Sequence, residues 1–121
     1  MTQKILIVDD SPTELTLMGN PLREAGYMVV TAIDGEDAIN KVVSESPDLV
    51  VLDVVMPKKN GFQVCREIRT RLAKPDLPVI MLTTKNEASD KFWGLKQGAN
   101  EYMAKPFSSQ DLLSAVKRLL Y

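Results

Sequence analysis

The stretch Lys4-Ile5-Leu6-Ile7-Val8-Asp9-Asp10-Ser11-Pro12-Thr13-Glu14 decides the fold. Four continuous apolar residues, Ile5 to Val8, run straight into two aspartates and then into a helix start. Ser11 falls at the N-cap, Pro12 at the first helical position and Glu14 at the third, the pattern of a capping box. Continuous rather than alternating apolar character is how a strand reads when helices cover both of its faces. The unit is therefore a buried strand, an acidic turn and a helix.

Two further runs repeat the strand signal: Leu49-Val50-Val51-Leu52 and Val79-Ile80-Met81-Leu82. Met28 to Ala32 and Glu101 to Ala104 are weaker and suit edge strands. Helical patterns fill the intervals. The first is expected to end near Ala25 with Gly26 beyond it, and to kink at Pro21, where a hydrogen bond is lost, with Gly19 and Asn20 absorbing the bend. Gly35 to Glu45 carries Ala38, Ile39, Val42 and Val43 on one face, with Pro47 after its end. Phe62, Cys65, Ile68 and Leu72 form a third stripe. Ala88, Phe92 and Leu95 form a fourth, which ends near Gly98. Leu112, Leu113, Val116, Leu119 and Leu120 form the last, opened by Ser108 as N-cap with Asp111 at the third position. Strand and helix alternate five times, which predicts an α/β domain with a parallel sheet wrapped on both faces through right-handed crossovers.

Length and composition agree. The chain has 121 residues, the size of one domain, with 45% hydrophobic and 26% charged residues. A formal net charge of −1 gives no electrostatic footprint for nucleic acid or an anionic membrane. No apolar run approaches the ~20 residues of a membrane span, and no leader pattern precedes Ile5. The single cysteine, Cys65, permits no internal disulfide, which fits a reducing cytoplasm. The absence of histidine removes imidazole acid–base chemistry and imidazole metal ligands.

Ligands of open α/β sheets sit beyond the carboxyl ends of the strands. At those ends the sequence places Asp9 and Asp10, Asp53, Thr83 and Thr84, and Lys105 with Pro106. Carboxylates about 4 Å apart repel by about 4 kcal/mol per pair at an effective dielectric of 20, so such a cluster needs counter-charge. Lys105 supplies one. A hard divalent cation is the natural second, and an all-oxygen donor set points to Mg²⁺ or Mn²⁺ rather than Zn²⁺. The constellation suits phosphoryl transfer, in which cations neutralise equatorial oxygens and a carboxylate can act as nucleophile.

Taken together, Ile5 to Ser11, the segment Asp53-Val54-Val55-Met56-Pro57 followed by Gly61, Thr83 at a strand end, and Tyr102-Met103-Ala104-Lys105-Pro106-Phe107 resemble the receiver domains of two-component response regulators. The resemblance spans residues 1–121 in order and spacing. It implies a flavodoxin-like (βα)5 fold, doubly wound, with strand order 2-1-3-4-5. It implies Asp53 as phospho-acceptor, and Asp10, Asp53 and the backbone carbonyl of Val55 as Mg²⁺ ligands, with Asp9 acting through water. Lys105 would bridge to the phosphoryl oxygens, Thr83 would hydrogen-bond them, and Tyr102 would be an aromatic switch turning inward as Thr83 moves. The Lys105–Pro106 bond is commonly cis in such domains. The implied donor is a histidine kinase or phosphotransfer domain. The implied output is a downstream protein met through the fourth helix, fifth strand and fifth helix. The chain, ending at Tyr121, reads as a stand-alone regulator. Asp10 to Glu14, Thr83 to Asn86 and Asp90 to Ala99 also resemble PilH-type regulators of type IV pilus systems, which implies twitching motility.

Rival readings are weaker. An aspartyl phosphatase resembling haloacid dehalogenases would need an acid two residues after Asp53, where Val55 stands. A flavodoxin-like cofactor binder would need hydroxyls and glycine after the first strand, where Asp9 and Asp10 would repel phosphate. A purely docking scaffold would not keep the full acidic set. Trp93 reads as core-edge packing, partly exposed, and Cys65 as a small buried hydrophobe. Lys58, Lys59, Arg66, Arg69, Arg71 and Lys74, interrupted by Glu67 and Asp76, read as a solvated face.

Overall fold

The structure, a computed structural model, describes residues 2–120; Met1 and Tyr121, which bear on the expected chain start and end, lie outside the described residues. Ten elements alternate: β1 Lys4–Val8, α1 Pro12–Glu24, β2 Met28–Ala32, α2 Gly35–Glu45, β3 Leu49–Leu52, α3 Gly61–Arg69, β4 Val79–Thr83, α4 Ala88–Lys96, β5 Glu101–Ala104 and α5 Ser109–Leu120. All strand pairs are parallel and the order is β2-β1-β3-β4-β5, so the two weak strand signals are the two edges.

Alternation along each strand divides the core in two. Leu6, Val8, Val50, Leu52, Val79 and Met81 face α2 and α3, meeting Ala38, Val42, Val64 and Ile68. Ile5, Ile7, Leu49, Val51, Ile80 and Leu82 face the other way, onto Met18 and Leu22 of α1 and Leu112, Ala115 and Val116 of α5. Every residue of β3 and β4 is buried, as continuous apolar runs require.

The helix ends follow their sequence signals, with adjustments. Ser11 Oγ accepts from the Glu14 amide at 3.3 Å, but the Ser11 amide donates to Asp9 Oδ1 at 3.0 Å rather than to Glu14. The expected capping box is therefore half formed, because Glu14 is drawn toward Lys105 instead (3.8 Å). The helix continues through Pro21. Gly26 and Gly98 adopt φ of +97° and +103°, the left-handed geometry that ends a helix. Asp111 donates its amide to Ser108 Oγ at 3.0 Å, as expected.

Four positions of the expected apolar faces meet solvent. Val43 is 59% exposed although Ala38, Ile39 and Val42 beside it are buried. On α4 the entire stripe is turned out: Ala88 is exposed, Phe92 is 62% and Leu95 43% exposed, and the buried residue is Gly94. An apolar stripe identifies a helix face, not what that face meets; α4 docks through its glycine. Trp93 is half exposed beside a shallow cleft shared with Phe62 and Arg66.

The basic stretch is used internally. Lys58 lies 3.3 Å from Glu36 and 3.7 Å from Asp34, while Lys59 and Arg71 both hold Glu67. Arg69 is not a solvated charge. Its guanidinium donates to the carbonyls of Lys74, Leu77 and Gly98 and to Asn100 Oδ1, pinning α3 to the α3–β4 loop and to the α4–β5 loop. Cys65 is fully buried, and burial pushes its thiol up to about 11, so it is unreactive at neutral pH.

Candidate functional site

Register brings the strand ends level. Asp9 follows Val8, with its amide on the Ala32 carbonyl at 3.1 Å. Asp53 follows Leu52, with its amide on the Val8 carbonyl at 3.0 Å. Thr83 ends β4, and the Lys105 amide bonds the Thr83 carbonyl at 2.9 Å. One backbone ladder thus sets the spacing of all four side chains.

Gly61 completes this frame. A Cβ there would stand 2.3 Å from the Asp53 carbonyl oxygen and 2.8 Å from Val54 Cα. Only glycine allows the start of α3 to approach that closely, and its amide bonds the Val54 carbonyl at 2.8 Å.

Asp9, Asp10 and Asp53 each bring one carboxylate oxygen within 4.8 Å of the others. Lys105 Nζ enters this group, 2.5 Å from Asp9 Oδ2 and 3.2 Å from Asp53 Oδ2. Asp9 and Thr83 are buried, Asp53 is nearly so, and Asp10 is exposed. Burial raises the Asp9 pKa above the ordinary carboxylate value, although Lys105 and the Ser11 amide pull it back. Burial also opposes the charge on Lys105, but the hydrogen bond to Asp9 and the charge of Asp53 outweigh it and raise the Lys105 pKa. The ammonium therefore stays charged among the acids.

The predicted residues divide by environment. Both oxygens of Asp9 are engaged, Oδ2 by Lys105 and Oδ1 by the Ser11 amide. Asp53 Oδ1 accepts from the Val55 amide at 3.3 Å, which ties the Val55 backbone to the rim. Thr83 Oγ1 accepts from the Lys85 amide at 3.2 Å. Tyr102 is half-buried and donates its hydroxyl to the Lys85 carbonyl. Burial, and then the charges of Asp90 and Asp53, push its phenol up to about 12. The Lys105–Pro106 bond is cis, matching the expectation. Glu14, read from sequence only as a capping acid, is a missed member of the rim; no spacing rule connects it to Lys105 at the far end of the chain.

The donor set fits a hard divalent cation: carboxylate oxygens, no nitrogen or sulfur, and a single ammonium that leaves two of three negative charges unbalanced. A bound Mg²⁺ would be held by these acids and would supply charge neutralisation to phosphoryl oxygens.

This fold, with an acidic group, a threonine and a lysine at the strand ends, defines a phospho-accepting switch module. The chain belongs to the response regulator receiver domain family, which matches residues 5–117. Such domains are regulatory phospho-acceptors of two-component signalling and bind Mg²⁺ at an acidic cluster. Among relatives, the alkaline phosphatase synthesis transcriptional regulatory protein PhoP of Bacillus subtilis (strain 168) is 47% identical over 120 residues, which is 99% of this chain and 49% of that protein. The chain spans about half the length of that curated relative. A crystallised response regulator of Chloroflexus aurantiacus J-10-fl superposes with a TM-score of 0.94 at 38% identity, covering 99% of this chain and 98% of that one. The chemotaxis protein CheY4 of Vibrio cholerae superposes with a TM-score of 0.92 at 34% identity, covering 99% and 100%. No helix among the described residues is long and apolar enough to cross a membrane.

Proposed function

We propose that Asp53 is the phospho-acceptor of residues 1–121, a single receiver domain, and that Mg²⁺ or Mn²⁺ assists the transfer. The observation that carries this is the placement of Asp53, almost buried, between Asp9, Asp10 and Lys105. The donor is a phosphohistidine of a histidine kinase or phosphotransfer domain. An Asp53 carboxylate oxygen attacks phosphorus, the P–N bond breaks, and the imidazole leaves with its electron pair and takes up a proton. Lys105 turns from Asp53 toward the phosphoryl oxygens while keeping Asp9. Asp10, exposed and beside Asp53, would hold the metal directly together with Asp53 and the Val55 carbonyl. Asp9, with both oxygens engaged, acts through water.

The new group adds about −1.5 to −2 of charge at pH 7. Thr83 reaches toward it and Tyr102 responds, biasing a two-state equilibrium read out by a protein bound at α4, β5 and α5. The exposed Phe92 and Leu95 support that face as the reader's contact. The reading places the domain in the cytoplasm, without nucleic-acid contact or membrane insertion of its own. The segments that resemble pilus-system regulators support a motility output. A transcriptional output is the second reading, favoured by the 47% identity to a protein named as a transcriptional regulator.

The test is incubation with acetyl phosphate and Mg²⁺, followed by intact mass. Wild type gains one phosphoryl group, and Asp53→Asn gains none. Uptake by Asp53→Asn, or none by wild type, rejects the assignment.

A further inference from the structure

Gly94 is the buried residue of α4, and what lies beneath it is Tyr102. A Cβ built at Gly94 would stand 2.7 Å from Tyr102 Cδ2, 2.8 Å from Tyr102 Cε2 and 2.9 Å from Met81 Sδ. Carbon atoms do not approach that closely, so the ring occupies a slot that exists only because residue 94 has no side chain. From that slot Tyr102 donates to the Lys85 carbonyl, and the Lys85 amide donates to Thr83 Oγ1. The rest of α4 grips the body weakly: Ala88, Phe92, Trp93 and Leu95 all face solvent.

We infer that Gly94 is a positioning residue that admits the Tyr102 ring beneath α4 and so couples α4 to Thr83. The inference rests on the proposed switch role of Thr83 and Tyr102. If the ring leaves the slot, nothing on α4 can fill the space it vacates, and the helix must shift. If a side chain occupies the slot, the ring is kept from the Lys85 carbonyl and the link from Thr83 to α4 is broken. The effect has a distinctive sign. Alanine is the better helix former, so propensity alone predicts that Gly94→Ala stabilises the protein. The slot predicts that it destabilises, chiefly through the Tyr102 ring, with the flexible end of Met81 as the lesser contact.

The experiment compares wild type, Gly94→Ala, Tyr102→Ala and the double variant. Trp93, the single tryptophan and the neighbour of Gly94, reports on α4 by fluorescence. Gly94→Ala should lower the urea midpoint in the wild-type background, and lower it far less or raise it in the Tyr102→Ala background, where only Met81 remains against the new methyl. It should also shrink the Trp93 response to beryllium fluoride plus Mg²⁺ by about five-fold or more, the scale of an allosteric coupling. Phosphoryl uptake from acetyl phosphate, read by intact mass, should persist in Gly94→Ala. A higher midpoint in both backgrounds, an equal fall in both, or a Trp93 response of wild-type size overturns the inference. If Gly94→Ala fails to fold, folding of the double variant supports the slot and failure of both rejects it. If wild type takes up no phosphoryl group, the Asp53 assignment fails, while the sign of the stability change still decides the slot.

Discussion

Lys105 and Asp9 meet at 2.5 Å in the interior of the domain, with Asp53 3.2 Å from the same ammonium. Among the described residues this is the one cation within the acidic group, and its removal leaves buried carboxylates without a counter-charge. Breaking a buried pair from one side costs about 3–5 kcal/mol. Lys105→Met should therefore lose about 3 kcal/mol in metal-free urea denaturation. Asp9→Asn in that background should recover part of the loss. A midpoint unchanged by Lys105→Met would mean that the acids are not held together by this charge.

Thr83 and Tyr102 share the backbone of one residue, Lys85, whose amide donates to the first and whose carbonyl accepts from the second. Thr83→Val keeps the shape of the side chain and removes the acceptor. The Lys85 amide should then exchange with solvent roughly five-fold faster, in keeping with the loss of one hydrogen bond of about 1 kcal/mol. Unaltered exchange at Lys85 would show that the bond carries no local stability.

Asp53 and Val55 bear on the lifetime of the phosphoryl group. Val55 is 59% exposed over the site, and its side chain cannot orient an attacking water. The side chain of Lys85, two residues after Thr83, carries no acceptor either and is paired with Asp90 at 3.1 Å. Val55→Asn should shorten the lifetime of phosphorylated protein in a phosphate-release assay. Equal decay of the two proteins would remove the idea.

Arg69 holds carbonyls of Lys74, Leu77 and Gly98 together with the Asn100 side chain. A lysine keeps the charge but not the planar fork that meets several acceptors at once. Arg69→Lys should cost about 2 kcal/mol, the scale of one to two charged hydrogen bonds. A loss below the error of denaturant extrapolation would reduce Arg69 to a surface charge.

Glu67 is bonded first by Lys59, at 2.6 Å, and its pKa is lowered by that bond and by Arg71 despite some burial. A depressed carboxylate contributes stability above its unfolded pKa of 4.5 and loses it as pH falls through the lower folded value. Glu67→Gln should thus be less stable than wild type at pH 7, by about 1 kcal/mol. The gap should close below pH 4.5, and a gap that widens there would contradict the pairing.

Legible in the sequence alone were the five βα units, the edge position of β2 and β5, the gathering of Asp9, Asp10, Asp53, Thr83 and Lys105 at the strand ends, and most helix ends. These are local properties: apolar runs, capping residues, and the rule that loops at strand ends carry the site. Tertiary structure alone decided which way α4 faces, that Arg69 is a structural pin, that Glu14 belongs to the rim, and that Gly61 and Gly94 are steric necessities. Each depends on what packs opposite a residue distant in sequence. Periodicity can mark the apolar stripe of Phe92 and Leu95, but only the close approach of Gly94 to Tyr102 shows that the stripe is left to solvent.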